Sequence, residues 1–258
     1  MIKQSIKKIL KKFSYEIKKI KKINPLIFNL KNKNNFEEYY EICKNESLNV
    51  SKERFVSLYQ AVNYIYKNDI DGDFVECGVF MGGSAMMMSY AMSEFEINNN
   101  KNKMIWLYDT FEGMANPSIY DENILNEKAT IELKNKTKKE NSKDIWAYSS
   151  INYVKDNINK TNISSDRIKY VKGLVEETLS KDKPKKISLL RLDTDFYEST
   201  KIELEELFPL LEIGGVIIID DYGHWKGCKK AVDEYFENKK NIFFQQIDYS
   251  GLIGVKTK

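Results

Sequence analysis

The feature that most constrains this chain is a series of short apolar segments that end in polar turns and alternate with stretches of helical periodicity. The apolar segments fall at residues 74–77, 104–108, 168–171, 187–192 and 216–219. Between them, residues 82–95, 199–208 and 229–236 read as helices. Such alternation predicts an α/β fold with a largely parallel sheet covered on both faces. Two closing runs, 242–247 and 252–255, are separated by a short turn and predict an antiparallel hairpin at one edge.

Upstream of the first strand, Ser51 is placed to cap a helix whose apolar stripe is Phe55, Leu58, Tyr59, Val62, Ile65 and Tyr66. Asp71-Gly72-Asp73 then reads as a turn. Residues 24–49 show weak patterning, so the chain divides into an N-terminal extension, 1–50, and one domain, 51–258. Within that domain residues 113–157 are long, polar and lysine-rich. They read either as a lid over a binding site or as a solvated excursion.

The net charge of +3 is uneven. Residues 1–22 hold nine lysines and one glutamate, a local +8, so the remainder sums to −5. A mildly acidic body argues against a nucleic-acid surface. Residues 1–23 read as a basic amphipathic helix, with Ile2, Ile6, Ile9, Leu10, Phe13, Ile17 and Ile20 at helical spacing. Two uses fit it: peripheral contact with an anionic membrane, or packing on the body or another subunit. The three cysteines lie far apart, without metal-ligand spacing, as in a reducing compartment. No secretory signal or membrane span is read, so a cytoplasmic location is expected.

In open α/β sheets ligands bind beyond the carboxyl ends of the strands, and the distinctive residues cluster there. The first strand runs into Glu76-Cys77-Gly78-Val79-Phe80-Met81-Gly82-Gly83-Ser84, where glycines let the backbone turn sharply and approach a ligand. The spacing is neither that of dinucleotide enzymes nor that of a phosphate loop. Glu76, Gly78, Phe80, Gly82, Gly83 and Ser84 are cofactor-binding candidates. The second strand ends in Asp109-Thr110-Phe111, with Asp109 placed to accept hydrogen bonds from ribose hydroxyls and Phe111 to line an adenine site. Gly173, just past the third strand, joins this set. Glu76 and Asp109 together would repel a phosphate-rich cofactor, whereas a cationic nucleoside such as S-adenosylmethionine would not be repelled.

The fourth strand ends in Asp193-Thr194-Asp195 and the fifth in Asp220-Asp221-Tyr222-Gly223-His224. Converging carboxylates repel unless protonated or bridged by a cation. An all-oxygen donor set from Asp193, Asp220 and Asp221 suits Mg²⁺ or Ca²⁺ rather than zinc. Asp193, and Asp195 as the alternative, are candidate bases. His224, the only histidine, is a candidate for a catalytic or substrate-contact role, with a structural role as the other reading.

These segments resemble the macrocin O-methyltransferase (TylF-like) family. The resemblance rests on Gly72-Asp73-Phe74-Val75-Glu76-Cys77-Gly78-Val79 with Gly82-Gly83-Ser84, on Asp109-Thr110-Phe111-Glu112-Gly113, on residues 190–200, and on residues 214–223 with Cys228 and Ala231-Val232. It implies a class I methyltransferase sheet, S-adenosylmethionine as methyl donor, Mg²⁺ dependence with Asp193, Asp220 and Asp221 as ligands, and a sugar hydroxyl as acceptor. A small-molecule or glycan acceptor and a homo-oligomer are expected. The competing readings are a catechol-type methyltransferase, a nicotinamide-dependent oxidoreductase disfavoured by the glycine spacing, and a non-catalytic binding protein.

Overall fold

The computed structural model describes residues 30, 32–96, 103–161 and 163–258. The basic stretch 1–23 lies outside them. Residues 34–258 form one compact unit, so the body begins earlier than the boundary expected at residue 51. Helix α1 (Lys33–Cys43) is the reason: Phe36 and Cys43 are fully buried in the body, which the polar residues around them in sequence conceal. Helix α2 (Lys52–Lys67) follows, and Ser51 caps it by accepting a hydrogen bond from the Arg54 N–H.

The strands are β1 (Asp73–Cys77), β2 (Ile105–Asp109), β3 (Ile168–Lys172), β4 (Ile187–Leu192), β5 (Leu211–Ile219), β6 (Ile242–Gln246) and β7 (Leu252–Lys256). They form one sheet in the order β3-β2-β1-β4-β5-β7-β6. The first five are parallel; β7 runs antiparallel to both β5 and β6, the expected edge hairpin. Strand β4 is buried along its whole length, as a central parallel strand covered on both faces must be. Strand β5 starts earlier than the expected residue 216. The chain passes through Gly214 in the left-handed region (φ +81°), with a register irregularity against β4, so the glycine pair is a kink inside the strand rather than a turn before it.

Helix α3 (Gly83–Phe95) is buried from Gly83 to Met92, including the consecutive Met86, Met87 and Met88. A helix apolar on all sides must be enclosed on all sides; α3 packs against α2 and α5 (Ile151–Ile158). Helices α6 (Val175–Thr178), α7 (Tyr197–Leu207) and α8 (Lys226–Phe236) complete the domain. Residues 113–157 hold defined structure, although many of their side chains are exposed. They hold α4 (Ala129–Lys134), bridges Glu122–Lys128 and Asn123–Trp225, and buried Asp121, which accepts hydrogen bonds from the N–H groups of Tyr197 and Ser118. The three cysteines are buried and free. Among the described residues no helix is long and apolar enough to cross a membrane.

Candidate active site

The strand order reverses between β1 and β4, and a cavity of about 270 Å³ opens beyond their carboxyl ends. Three non-glycine residues just past strand ends take left-handed backbone conformations: Phe80, Phe111 and Asp195, at φ +49°, +51° and +68°. Such conformations cost energy in an L-residue and gather where surrounding structure imposes them. Gly78 imposes one constraint. A Cβ there would lie 2.0 Å from the Asp193 carbonyl oxygen, so the ends of β1 and β4 touch backbone to backbone. The Asp193 N–H donates to the Cys77 carbonyl at 2.8 Å across the same junction.

Asp109 joins the next pair of loops. Its Oδ2 accepts from the N–H groups of Val79 (2.7 Å) and Phe80 (3.1 Å). Its Oδ1 accepts from the Phe111 N–H (2.7 Å), while the Thr110 hydroxyl, 3.4 Å away, donates its single proton to the Gly113 carbonyl at 2.6 Å. Three backbone N–H groups thus fix Asp109 between two loops, and one of the about four acceptor positions of the carboxylate is left to a further donor.

Below the cavity runs a buried ionic network. Glu76 and Arg191 are register partners on β1 and β4. Arg191 donates to Glu76 Oε1 (2.6 Å) and Asp220 Oδ1 (2.7 Å) and pairs with Asp193 Oδ2 (2.8 Å). Arg54 reaches in from α2, binding the other Asp220 oxygen, Asp248 (2.9 Å) and the Asn49 carbonyl (2.8 Å). Two guanidiniums thus face six carboxylates: Glu76, Asp193, Asp195, Asp220, Asp221 and Asp248. The excess shows in the titration of the group. Burial pushes Glu76 and Asp195 up to about 7. Burial also holds Asp193 well above the carboxylate range despite Arg191, and Asp221 likewise, with Asp195 and Asp220 adding to the rise.

Oxygens of Asp193, Asp195 and Asp221 lie within 4.8 Å of one another. Asp221 Oδ2 is buried and has no hydrogen-bond partner among the described residues. The expected donor set was Asp193, Asp220 and Asp221. In the structure the mutually close group is Asp193, Asp195 and Asp221, while both Asp220 oxygens are bound by arginines. His224 lines the cavity with its Nδ1 buried and unpartnered, and burial and Arg54 lower its pKa, so the imidazole is neutral.

Of the other cofactor candidates, Gly78, Phe80, Gly83, Ser84, Asp109, Thr110 and Gly173 line the cavity. Glu76, Gly82 and Phe111 do not. Glu76 lies beneath it, paired with Arg191. Gly82 takes φ +92° at the cap of α3, its open side towards Val154. Phe111 is buried with its ring 6.4 Å from that of Tyr170. Sequence reasoning missed Arg54, residues 46–50, Trp225 and the 249–250 turn, all of which line the cavity. Arg54 had a signal: the chain has only three arginines against 38 lysines, and a lone arginine inside an apolar helical stripe marks a fixed planar ion pair. Residues 46–50 are held by Glu46, which accepts from Tyr153 and Asn157 on α5, while Asn157 also donates to the Met81 carbonyl.

This sheet order, with a cavity at the switch point, a glycine-bearing first loop and carboxylates at the ends of β4 and β5, is that of the class I Rossmann-like O-methyltransferases. The structure of the O-methyltransferase NovP superposes with a TM-score of 0.67 at 25% identity, covering 80% of each chain. An O-methyltransferase from Bacillus cereus in complex with SAH shares the fold alone, with a TM-score of 0.53 at 13% identity over the full length of both chains.

The chain belongs to the macrocin O-methyltransferase (TylF) family, whose sequence model matches residues 17–253. Demethyldecarbamoylnovobiocin O-methyltransferase of Streptomyces niveus is 28% identical over 183 residues, 70% of this chain and 64% of that protein. Mycinamicin III 3''-O-methyltransferase of Micromonospora griseorubida is 25% identical over 72% of this chain and 68% of its own length. The chain thus spans just under two thirds of the Streptomyces niveus protein.

Proposed function

We propose that this protein transfers a methyl group from S-adenosylmethionine to a hydroxyl of a sugar, with a divalent cation at Asp193, Asp195 and Asp221. The observation that carries the reading is three mutually close carboxylates, one with an unpartnered buried oxygen, beside a glycine-bearing loop in a family of O-methyltransferases. The donor set is all oxygen and carries excess negative charge, which fits Mg²⁺ or a similar hard cation. The rest of the cavity fits a cationic nucleoside better than a polyphosphate, because both arginines that line it are engaged with carboxylates.

When bound, S-adenosylmethionine supplies the electrophilic methyl group, and the cation supplies positive charge that favours the alkoxide form of the acceptor. The residues do the rest. Gly78, Phe80, Gly83, Ser84, Thr110 and Gly173 form the donor wall, held in shape by Asp109. Asp195 is our choice of base: it stands within the carboxylate cluster, and no arginine pairs with it among the described residues. Asp193, the first expectation from sequence, is less free because Arg191 holds its Oδ2. Holding the two reactants in one cavity supplies much of the remaining acceleration. The pathway is proposed to be glycan, surface polysaccharide or natural-product synthesis.

The test is transfer of labelled methyl to panels of sugars and catechols, with and without Mg²⁺ and after chelation. We expect sugar methylation that depends on the cation and is lost in Asp195→Asn. Transfer to catechols alone would replace the sugar reading with the catechol one. Full activity in Asp195→Asn would remove the proposed base.

A further inference from the structure

The turn between β6 and β7, residues 247–251, is held far more firmly than an exposed turn requires. Asp248 Oδ1 accepts from the N–H groups of Ser250 (2.9 Å) and Gly251 (2.7 Å), while its Oδ2 binds Arg54. The Ile247 N–H donates to the Gly251 carbonyl at 2.8 Å. The Ser250 hydroxyl donates to the Asp220 carbonyl at 2.7 Å, and the Gly223 N–H donates to the Ser250 carbonyl at 2.9 Å. Packing is as close as bare backbone allows. A Cβ on Gly223 would lie 2.0 Å from the Tyr249 carbonyl oxygen, and one on Gly251 would lie 2.9 Å from Arg54 Cδ. The turn is therefore a rigid ledge, fixed to the backbone of Asp220 and to the same arginine that grips the Asp220 carboxylate.

The ledge presents Tyr249. Tyr249 lines the cavity yet is 58% exposed, and its ring stands edge-on to His224 with centroids 6.1 Å apart. His224 is in turn edge-on to Trp225 at 5.2 Å. Scattered exposed aromatics are ordinary. This one differs because the backbone beneath it is fixed from three sides and it stands beside the carboxylate cluster. An aromatic face left in water gains nothing for folding, but it offers a stacking surface to a ligand that enters the cavity. A pyranose ring has an apolar C–H face for such a surface and hydroxyls on its rim for the carboxylates of the cluster.

We propose that the ledge is the acceptor-recognition subsite, with Tyr249 stacking on a pyranose face. This rests on the sugar reading above and names a residue of this chain that chooses the acceptor. The contact is made alike in the bound state and in the transition state, so its loss raises KM without lowering kcat.

The experiment measures labelled-methyl transfer to a panel of methyl pyranosides by the full-length protein, Tyr249→Ala and Tyr249→Phe. In Tyr249→Ala we expect KM for the pyranoside to rise about tenfold, as for loss of one ring face of apolar contact, with kcat within about twofold. KM for S-adenosylmethionine should be unchanged, and Tyr249→Phe should behave as wild type because the face is kept. An unchanged pyranoside KM in Tyr249→Ala, with wild-type turnover intact, overturns the subsite and leaves the sugar reading standing. So does an equal rise in both KM values, which marks general disruption. Turnover of catechols but of no pyranoside overturns the sugar reading and the subsite with it.

Discussion

Gly78→Ala tests the claim that backbone contact between β1 and β4 builds the site. Gly214→Ala is its natural control. Both glycines lie in the left-handed region, at φ +82° and +81°, so each substitution carries the same backbone strain, about 1–2 kcal/mol. They differ in what the new methyl group meets. At Gly214 it meets the Ile70 side chain at 3.3 Å, which can rotate away. At Gly78 it meets Asp193 backbone, oxygen at 2.0 Å and carbon at 2.6 Å, which can yield only if the strand ends separate. Overpacking of this kind costs about 1–3 kcal/mol more. Urea unfolding followed by circular dichroism reads the difference. With a slope of about 3 kcal/mol per molar, an extra 2 kcal/mol lowers the Gly78→Ala midpoint by about 0.7 M relative to Gly214→Ala. The displaced Asp193 should also abolish methyl transfer in Gly78→Ala alone. Equal midpoints, or equal activity, would refute the view that this contact positions Asp193.

Three further outcomes are expected. Arg54→Met leaves the part-buried Asp248 without its cation and Asp220 with Arg191 alone, so it should cost about 3 kcal/mol by urea unfolding, well above the effect of a surface substitution. Without divalent cation, stability should fall as pH rises from about 4 to about 7. Glu76 and Asp195 have folded pKa values near 7, above their unfolded ones, so the folded state holds the extra protons and loses that advantage as they leave. Added Mg²⁺ should then raise the melting temperature more at pH 8 than at pH 6, because binding must displace protons; a melting temperature that climbs from pH 5 to 7 in chelator would contradict the shifts. Phe111→Leu should leave S-adenosylhomocysteine affinity by calorimetry within about twofold, since the ring packs beside Tyr170 and not in the cavity; a tenfold loss would restore Phe111 as an adenine contact.

Much of the fold was legible because its signals are local. The alternation of apolar segments placed β4 to the residue and β1, β2, β3, β6 and β7 to within one residue at each end but missed the first five residues of β5, and the closing pair predicted the antiparallel edge. The clustering of Asp193, Asp195, Asp220, Asp221 and His224 around one cavity follows from the same rule, since each sits just past a strand end. Spacing could not decide which carboxylates face one another and which face arginines. Asp220 and Asp221 are adjacent in sequence, yet one is gripped by Arg54 and Arg191 while the other keeps an open oxygen. That division depends on α2 bringing Arg54 across 166 residues of chain to the end of β5. The same holds for the ledge at 247–251, a plain turn in sequence and a fixed wall only once Gly223, Asp220 and Arg54 lie against it. The sequence by itself determined the layered sheet and the ring of chemical groups at its carboxyl edge, because periodicity and strand-end position act over a few residues. Only the tertiary structure decided how the excess charge is shared among those groups, because electrostatic partnership depends on distances that chain separation does not set.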